Sequence, residues 1–164
     1  LHTRGVLERY IDIVMGEIAE QSVIKWVQSQ GKFAQSAVDK TSGRPDSGRD
    51  VLFHSREGRS ISCSVKSSLS VHHSNVADML SQFHLASKQS EIRGINIQVY
   101  FWLDLSSKPR VTVPTEKNMA IIGWLGRKDL KGIAESAYAT EARPVVRAPL
   151  NGMRPMRDLL ELLG

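Results

Sequence analysis

Asp50-Val51-Leu52-Phe53-His54-Ser55-Arg56-Glu57-Gly58-Arg59-Ser60-Ile61-Ser62-Cys63-Ser64-Val65-Lys66 is the stretch whose reading decides the fold. Two strand-like runs, 50–54 and 59–66, flank a polar turn at Ser55-Arg56-Glu57-Gly58. Side chains on a strand alternate between its two faces. One face then carries Val51, Phe53, Ile61, Cys63 and Val65, all apolar. The other carries Asp50, Leu52, His54, Ser62, Ser64 and Lys66, polar except for Leu52. That alternation marks a half-buried hairpin. With the turn centred near Gly58, Phe53 stands opposite Cys63, Leu52 opposite Ser64, and Asp50 opposite Lys66. Taken alone, an acid facing a lysine is most simply a cross-strand ion pair, worth a few tenths of a kcal/mol to about 1. The rest of the chain decides whether it is more.

Before the hairpin, positions 6–30 read as one long helix. Apolar residues recur at Ile11, Val14 and Ile18 and at Ala19, Val23 and Trp26, with Ile13, Ile24 and Val27 widening the stripe. Gly31 is the expected stop. Glu17 and Glu20 share the stripe with Ile13, Ile24 and Val27, so at least one acid is expected to face inward and to need a partner there. The alternative sets both acids at the solvated edge. A short strand within 33–38 and a Ser/Gly/Pro/Asp loop over 40–49 lead into the hairpin.

After the hairpin, Ser74 or Asn75 caps a second helix expected to run to about residue 90. Positions 95–103 alternate again, with Ile95, Ile97, Val99, Phe101 and Leu103 against Asn96, Gln98, Tyr100 and Trp102. Strands are expected at 110–113 and 119–125, a short helix at 129–135, little periodicity across 137–152, and a closing helix at 153–163. The order predicts an α/β domain around one sheet. It is read as a single domain over 1–164, with a core at about 6–125 and a C-terminal extension at about 126–164.

Composition bounds the function. The 164 residues, 41% hydrophobic and 24% charged, suit one soluble globular domain, and no apolar run approaches a bilayer span. A single cysteine, Cys63, excludes a disulfide framework and a cysteine-based zinc site, and fits a cytoplasmic setting. The chain opens on Leu1 rather than Met, as expected of a piece of a longer protein or complex. Lysine and arginine number 22 against 17 acids, a net charge of +5 that favours a polyanionic partner. Lys40, Arg44 and Arg49 cluster in the loop leading to the hairpin.

Three pieces together resemble the PD-(D/E)xK nuclease superfamily, in particular its Mrr-like restriction endonuclease branch and a related uncharacterised domain type. Gly16-Glu17-Ile18-Ala19-Glu20-Gln21-Ser22-Val23 is similar to the first helix, where a Gly is followed four residues on by an active-site Glu. Asp46-Ser47-Gly48-Arg49-Asp50 is similar to the D-x-G-x-D entry into the catalytic hairpin. Ser64-Val65-Lys66 stands where the family has Glu-x-Lys, Asp-x-Lys or Gln-x-Lys. The resemblance covers residues 6–68; beyond that only the order of elements agrees. It implies an αβββαβ restriction-endonuclease-like core, a mixed central sheet flanked by helices. It implies Glu20, Asp50, Ser64 and Lys66 as the catalytic positions, with Glu17 and Asp46 as secondary candidates. The implied Mg²⁺ ligands, with Mn²⁺ as a substitute, are Asp50, Glu20 and the Val65 carbonyl. Lys40, Arg44 and Arg49 would contact DNA.

The chemistry fits those residue types. Phosphodiester hydrolysis needs an in-line nucleophile and relief of charge on the phosphoryl oxygens. A hard cation takes oxygen ligands and keeps several waters. Lys66 can stabilise the pentavalent phosphate or assist water deprotonation. Ser64 is the departure, a poor metal ligand beside a carboxylate or carboxamide. The reading is therefore a metal-dependent DNA endonuclease in restriction, defence or repair. The rivals are a decayed DNA-binding module of the same fold and a protein-interaction domain. Double-strand cleavage calls for two active sites, which favours a homodimer. His72-His73, Gln82, Asp104, Trp102 and Trp124 read as surface or core residues before they read as site residues.

Overall fold

The computed structural model describes residues 5–38, 48–70, 77, 80, 84–88, 92–104, 119–137 and 145–164. Helix α1 spans Val6–Ser29. Strands β1 (Ala34–Ser36), β2 (Val51–His54) and β3 (Ser60–Ser70) follow. Then come β4 (His84–Lys88), β5 (Ile97–Asp104), β6 (Met119–Gly126), α2 (Arg127–Ala137), β7 (Val145–Pro149) and α3 (Met156–Leu162). A five-stranded mixed sheet has the order β1-β2-β3-β5-β6, and β4 and β7 form a separate two-stranded sheet. Within the large sheet, β3 and β5 are parallel and the other neighbours antiparallel. A parallel neighbour requires a crossover rather than a tight turn. Residues 71–96 supply it. Of the helix expected to reach residue 90, the described part disagrees over 84–88, which is β4. Pairing with β7 overrides a weak helical preference there.

Helix α1 is a helix because its buried positions repeat at helical spacing. Met15, Ala19, Val23, Ile24 and Val27 are all buried. The expected stripe extends too far toward the N-terminus, since Ile11, Ile13 and Val14 are exposed. The sheet residues under this end, Val65 and Phe101, pack against Met15, Ala19 and Ile18 and no earlier turn. The helix stops as its sequence requires. Gly31 adopts φ 74°, its N–H donates to the Gln28 carbonyl, and the Lys32 N–H donates to the Val27 carbonyl. That is the Schellman arrangement, and the left-handed residue in it favours glycine.

The hairpin keeps the expected faces and changes the expected register. Val51 pairs with Cys63, Leu52 with Ser62, Phe53 with Ile61 and His54 with Ser60. The turn explains the shift. The Ser55 N–H donates to the Arg59 carbonyl, the Gly58 N–H to the Ser55 carbonyl, and Gly58 takes φ 72°. The loop is thus Arg56-Glu57-Gly58, a turn closed by a left-handed glycine, centred on Glu57 rather than Gly58. Each residue moves two places along its partner, so parity survives. Asp50 comes beside Ser64 instead of facing Lys66.

Two apolar layers enclose the sheet. Val51, Phe53, Cys63, Ile97 and Val99 pack under Val23, Ile24 and Val27 of α1 and under Leu159 and Leu163 of the C-terminal segment. The other face carries Tyr100 and Leu125, which pack with Ile92, Ile95, Leu130 and Leu150. Ile95 was expected on the side of Ile97 and Val99. It precedes the first residue of β5, so strand alternation does not reach it. Strand β7 was not anticipated in the stretch of little periodicity, whereas β5, β6 and α2 lie where they were expected. The strand expected at 110–113 lies outside the described residues.

At the start of α2, Asp129 reaches back to the Gly126 N–H at 3.0 Å and holds Arg154 through both oxygens, at 3.0 and 2.9 Å. Gly123 lets the 153–154 backbone lie close, because a Cβ there would meet the Arg154 carbonyl oxygen at 2.6 Å. The Arg154 hydrogen bonds, with the Gly126 N–H and the Arg154 charge, hold the Asp129 carboxyl below its ordinary value. A lowered folded pKa gives stability that is present above the unfolded value and is lost as pH falls through the folded one. Asp129→Asn is therefore expected to reduce stability near neutral pH by no more than about 1 kcal/mol, because the pair is partly exposed. The difference from the parent should shrink below pH 4 or so. Urea unfolding of both proteins at neutral and acid pH checks this; a difference that grows in acid contradicts it.

Candidate functional site

The site begins where β2 ends. The Asp50 N–H donates to the Cys63 carbonyl at 2.9 Å, and the Asp50 carbonyl accepts from the Ala37 N–H at 2.9 Å. Past this point β3 runs on without β2 beside it. The Asp50 carboxylate takes the missing strand's place. Its Oδ2 accepts from the Val65 N–H at 2.6 Å and from the Ser64 hydroxyl at 3.2 Å. Hydrogen bonds to a charged acceptor are the strong ones, so this carboxylate is held in position. A residue's N–H and C=O leave a strand on the same edge. The Val65 carbonyl therefore projects from the edge of β3 at which Asp50 sits.

Lys66 follows one residue later and is half-buried. Its side chain has the parity of Ser64, about 6.6 Å farther along the strand. Both flank β5 in register, Ser64 beside Gln98 and Lys66 beside Tyr100. Ser64, Gln98 and Tyr100 are fully buried. The Tyr100 hydroxyl donates to Gln98 Oε1 at 2.5 Å. Burial pushes the Tyr100 phenol up, so it stays protonated and able to donate. Cys63, on the opposite parity, is buried, and loss of solvent pushes its thiol well up; it is a core residue and no nucleophile.

Of the two helix acids, Glu20 faces inward at 6% exposure. Glu17 is exposed and accepts a hydrogen bond from Gln21 at 3.2 Å. Glu20 lies on α1, which packs over the face of Cys63 and Val65. The Asp50, Ser64 and Lys66 positions have the other parity. Arg49 is exposed and donates to the Gly94 carbonyl at 3.1 Å. Lys40, Arg44, Asp46, His72, His73 and Gln82 lie outside the described residues, as do the side chains of Trp102 and Asp104. Trp124 is core: its indole N–H donates to the Pro155 carbonyl at 3.1 Å, and it is 5% exposed.

Among the described residues no three His, Cys, Asp or Glu side chains converge as a metal cage. The donors present are a fixed carboxylate, a strand-edge carbonyl, a hydroxyl and a carboxamide. All are oxygen ligands, the type a hard divalent cation takes, and Mg²⁺ is commonly held by one or two carboxylates with water completing the shell. The set suits that cation and does not suit zinc. Sequence reading passed over Gln98. The available signal was a long polar side chain in the middle of a strand otherwise destined for the interior. No family model matches the chain, and no curated protein matches it.

Proposed function

We propose that this protein is a Mg²⁺-dependent DNA endonuclease with a restriction-endonuclease-like core. The observation that carries the proposal is the Asp50 carboxylate held beyond the end of β2 by the Ser64 hydroxyl and the Val65 main-chain N–H, the latter one residue before Lys66. The order of a long helix, three antiparallel strands, a crossover and a parallel strand supports it. Glu20, the helix acid that the resemblance implies, is buried on α1 over the other face of the sheet and is left out of the proposed ligand set.

The residues divide the work by chemistry. Asp50 and the Val65 carbonyl would hold the cation. Bound Mg²⁺ supplies Lewis acidity and charge neutralisation. Lys66 places an ammonium where negative charge grows on the phosphoryl oxygens, and half-burial strengthens that interaction over the same pair in water. The test is incubation with supercoiled plasmid in Mg²⁺ or Mn²⁺, with and without chelator. Metal-dependent nicking supports the proposal; intact plasmid at full DNA occupancy removes it.

One observation favours a second reading, a DNA-binding module without catalysis. Ser64 occupies the family's acid or amide position, and its hydroxyl donates to Asp50. Either reading places DNA phosphates on the basic residues near the hairpin entry, Lys40, Arg44 and Arg49. Log affinity for duplex DNA should then fall linearly with log salt, by about 0.9 per phosphate contact. Fluorescence anisotropy across a salt series measures the slope. A flat response would favour the protein-interaction domain.

A further inference from the structure

Ser64 leaves a gap in the proposed ligand set, and the neighbouring strand carries the group that would fill it. Ser64 and Gln98 are register partners in the parallel β3–β5 pairing. Partners in register project from the same face of a sheet. Asp50 stands on the other side of Ser64 and is bonded to it. Three polar residues, Asp50 just outside β2, Ser64 on β3 and Gln98 on β5, therefore stand side by side in one row. A second row follows, with Lys66 beside Tyr100.

Gln98 is out of keeping with its surroundings. On the β5–β6 side this face carries Tyr100 and Leu125, packed with Ile92, Ile95, Leu130 and Leu150. Burying a carboxamide among such residues costs stability unless its hydrogen bonds are met, and an apolar residue of similar size would pack there without that cost. Gln98 is fully buried and the Tyr100 phenol bonds it. The two rows reach solvent at Asp50 and at Lys66, both half-buried.

We propose that Gln98 supplies, from β5, the oxygen ligand that Ser64 does not supply from β3. The inference rests on the endonuclease reading and sharpens it to a ligand set of Asp50, the Val65 carbonyl and Gln98. Size supports the exchange. A serine at 64 is short enough for a longer side chain on the next strand to extend across it. Asp50 and Gln98 are two strand spacings apart, about 10 Å between main chains. An aspartate and a glutamine reaching toward Ser64 would span much of that distance and could hold a hard cation between them. A half-turn of the carboxamide exchanges its ends. The Tyr100 hydroxyl then accepts from Nε2, and Oε1 turns away from the phenol toward Ser64. Tyr100 thus orients Gln98 and is a positioning residue.

Mn²⁺ binding to the full chain, followed by the spin-resonance signal of the free ion, tests the proposal independently of cleavage. Gln98→Met keeps the length and apolar packing and removes the oxygen; it should weaken Mn²⁺ binding by about tenfold or more. Gln98→Glu adds an anionic oxygen and should tighten binding by a comparable factor. Ser64→Gln in the Gln98→Met background should return the affinity to within about threefold of the parent. Asp50→Asn separates the two levels of the argument. If Asp50→Asn loses binding while Gln98→Met and Gln98→Glu bind as the parent does, the assignment of Gln98 is wrong and the endonuclease reading stands. If the parent binds no Mn²⁺, both fall. Thermal unfolding of each variant accompanies the titrations. Should Gln98→Met fail to fold, Gln98→Glu decides, and unchanged affinity there overturns the proposal.

Discussion

Lys66→Ala is expected to cut metal-dependent cleavage by about 10²–10³-fold while leaving the protein folded and bound to DNA. Removal of one group aimed at developing transition-state charge typically has that effect. Lys66 is half-buried and lies outside the apolar clusters of the sheet, so the loss of its side chain should cost no more than about 1 kcal/mol in stability. One phosphate contact at most is removed from DNA binding, which lowers the salt slope by about 0.9. Lys66→Arg retains the charge but changes its shape and donor geometry, so it should recover only part of the rate. Initial nicking rates at saturating protein, beside anisotropy for DNA affinity, make the comparison. Equal rates for parent and Lys66→Ala would remove Lys66 from the site.

Phe53→Ala carries the largest expected loss of stability. Phe53 is fully buried, in the cluster that joins α1, the sheet and the C-terminal segment through Val23, Val27, Cys63, Leu159 and Leu163. Truncating a buried phenylalanine costs about 3–5 kcal/mol, from lost transfer energy and the cavity left behind. Domains of this size have about 5–15 kcal/mol in total. His54, the next residue, projects to the other face, half-buried and stacked on Phe33 with ring centroids 4.0 Å apart. His54→Ala should cost about 1 kcal/mol, within the range of an aromatic pair. Urea midpoints of the two variants read the hairpin's parity directly. Equal losses, or a greater loss at His54, would contradict that parity.

Parity was legible in the hairpin because an apolar face next to a polar one leaves only one way to bury it. Val51, Phe53 and Cys63 are buried as the alternation required. The register itself was not legible to the residue, because it depends on which loop position takes the left-handed conformation. Gly58 was the visible marker, but it closes the turn instead of centring it. The same shift moved Asp50 from Lys66 to Ser64, and with it the meaning of the site: a carboxylate anchored to a strand edge replaces a simple ion pair.

Long-range pairing was the other hidden term. Strand β4 falls inside a segment with helical apolar spacing, and only β7, some sixty residues on, makes it a strand. Glu20 was legible as an inward acid because it lies on the buried stripe, and Glu17, three residues earlier, falls outside it. Gln98 was visible as a letter and invisible as a partner. Its importance comes from standing beside Ser64 across a parallel pairing that follows a crossover. Nothing in local sequence states which residues such a pairing brings together.

The central claim, a fixed carboxylate at the end of β2 serving metal-dependent phosphodiester cleavage, is tested most directly by one comparison. Parent and Asp50→Asn are incubated with supercoiled plasmid at equal DNA occupancy in Mg²⁺, each with a chelator control. Asparagine can still accept from the Val65 N–H and the Ser64 hydroxyl, so the fold and the hydrogen bonds at Asp50 are retained while the charge is lost. The account predicts chelator-sensitive nicking by the parent and a loss of about 10³-fold in Asp50→Asn. Nicking by both proteins at the same rate, or by neither while both bind DNA, would contradict it.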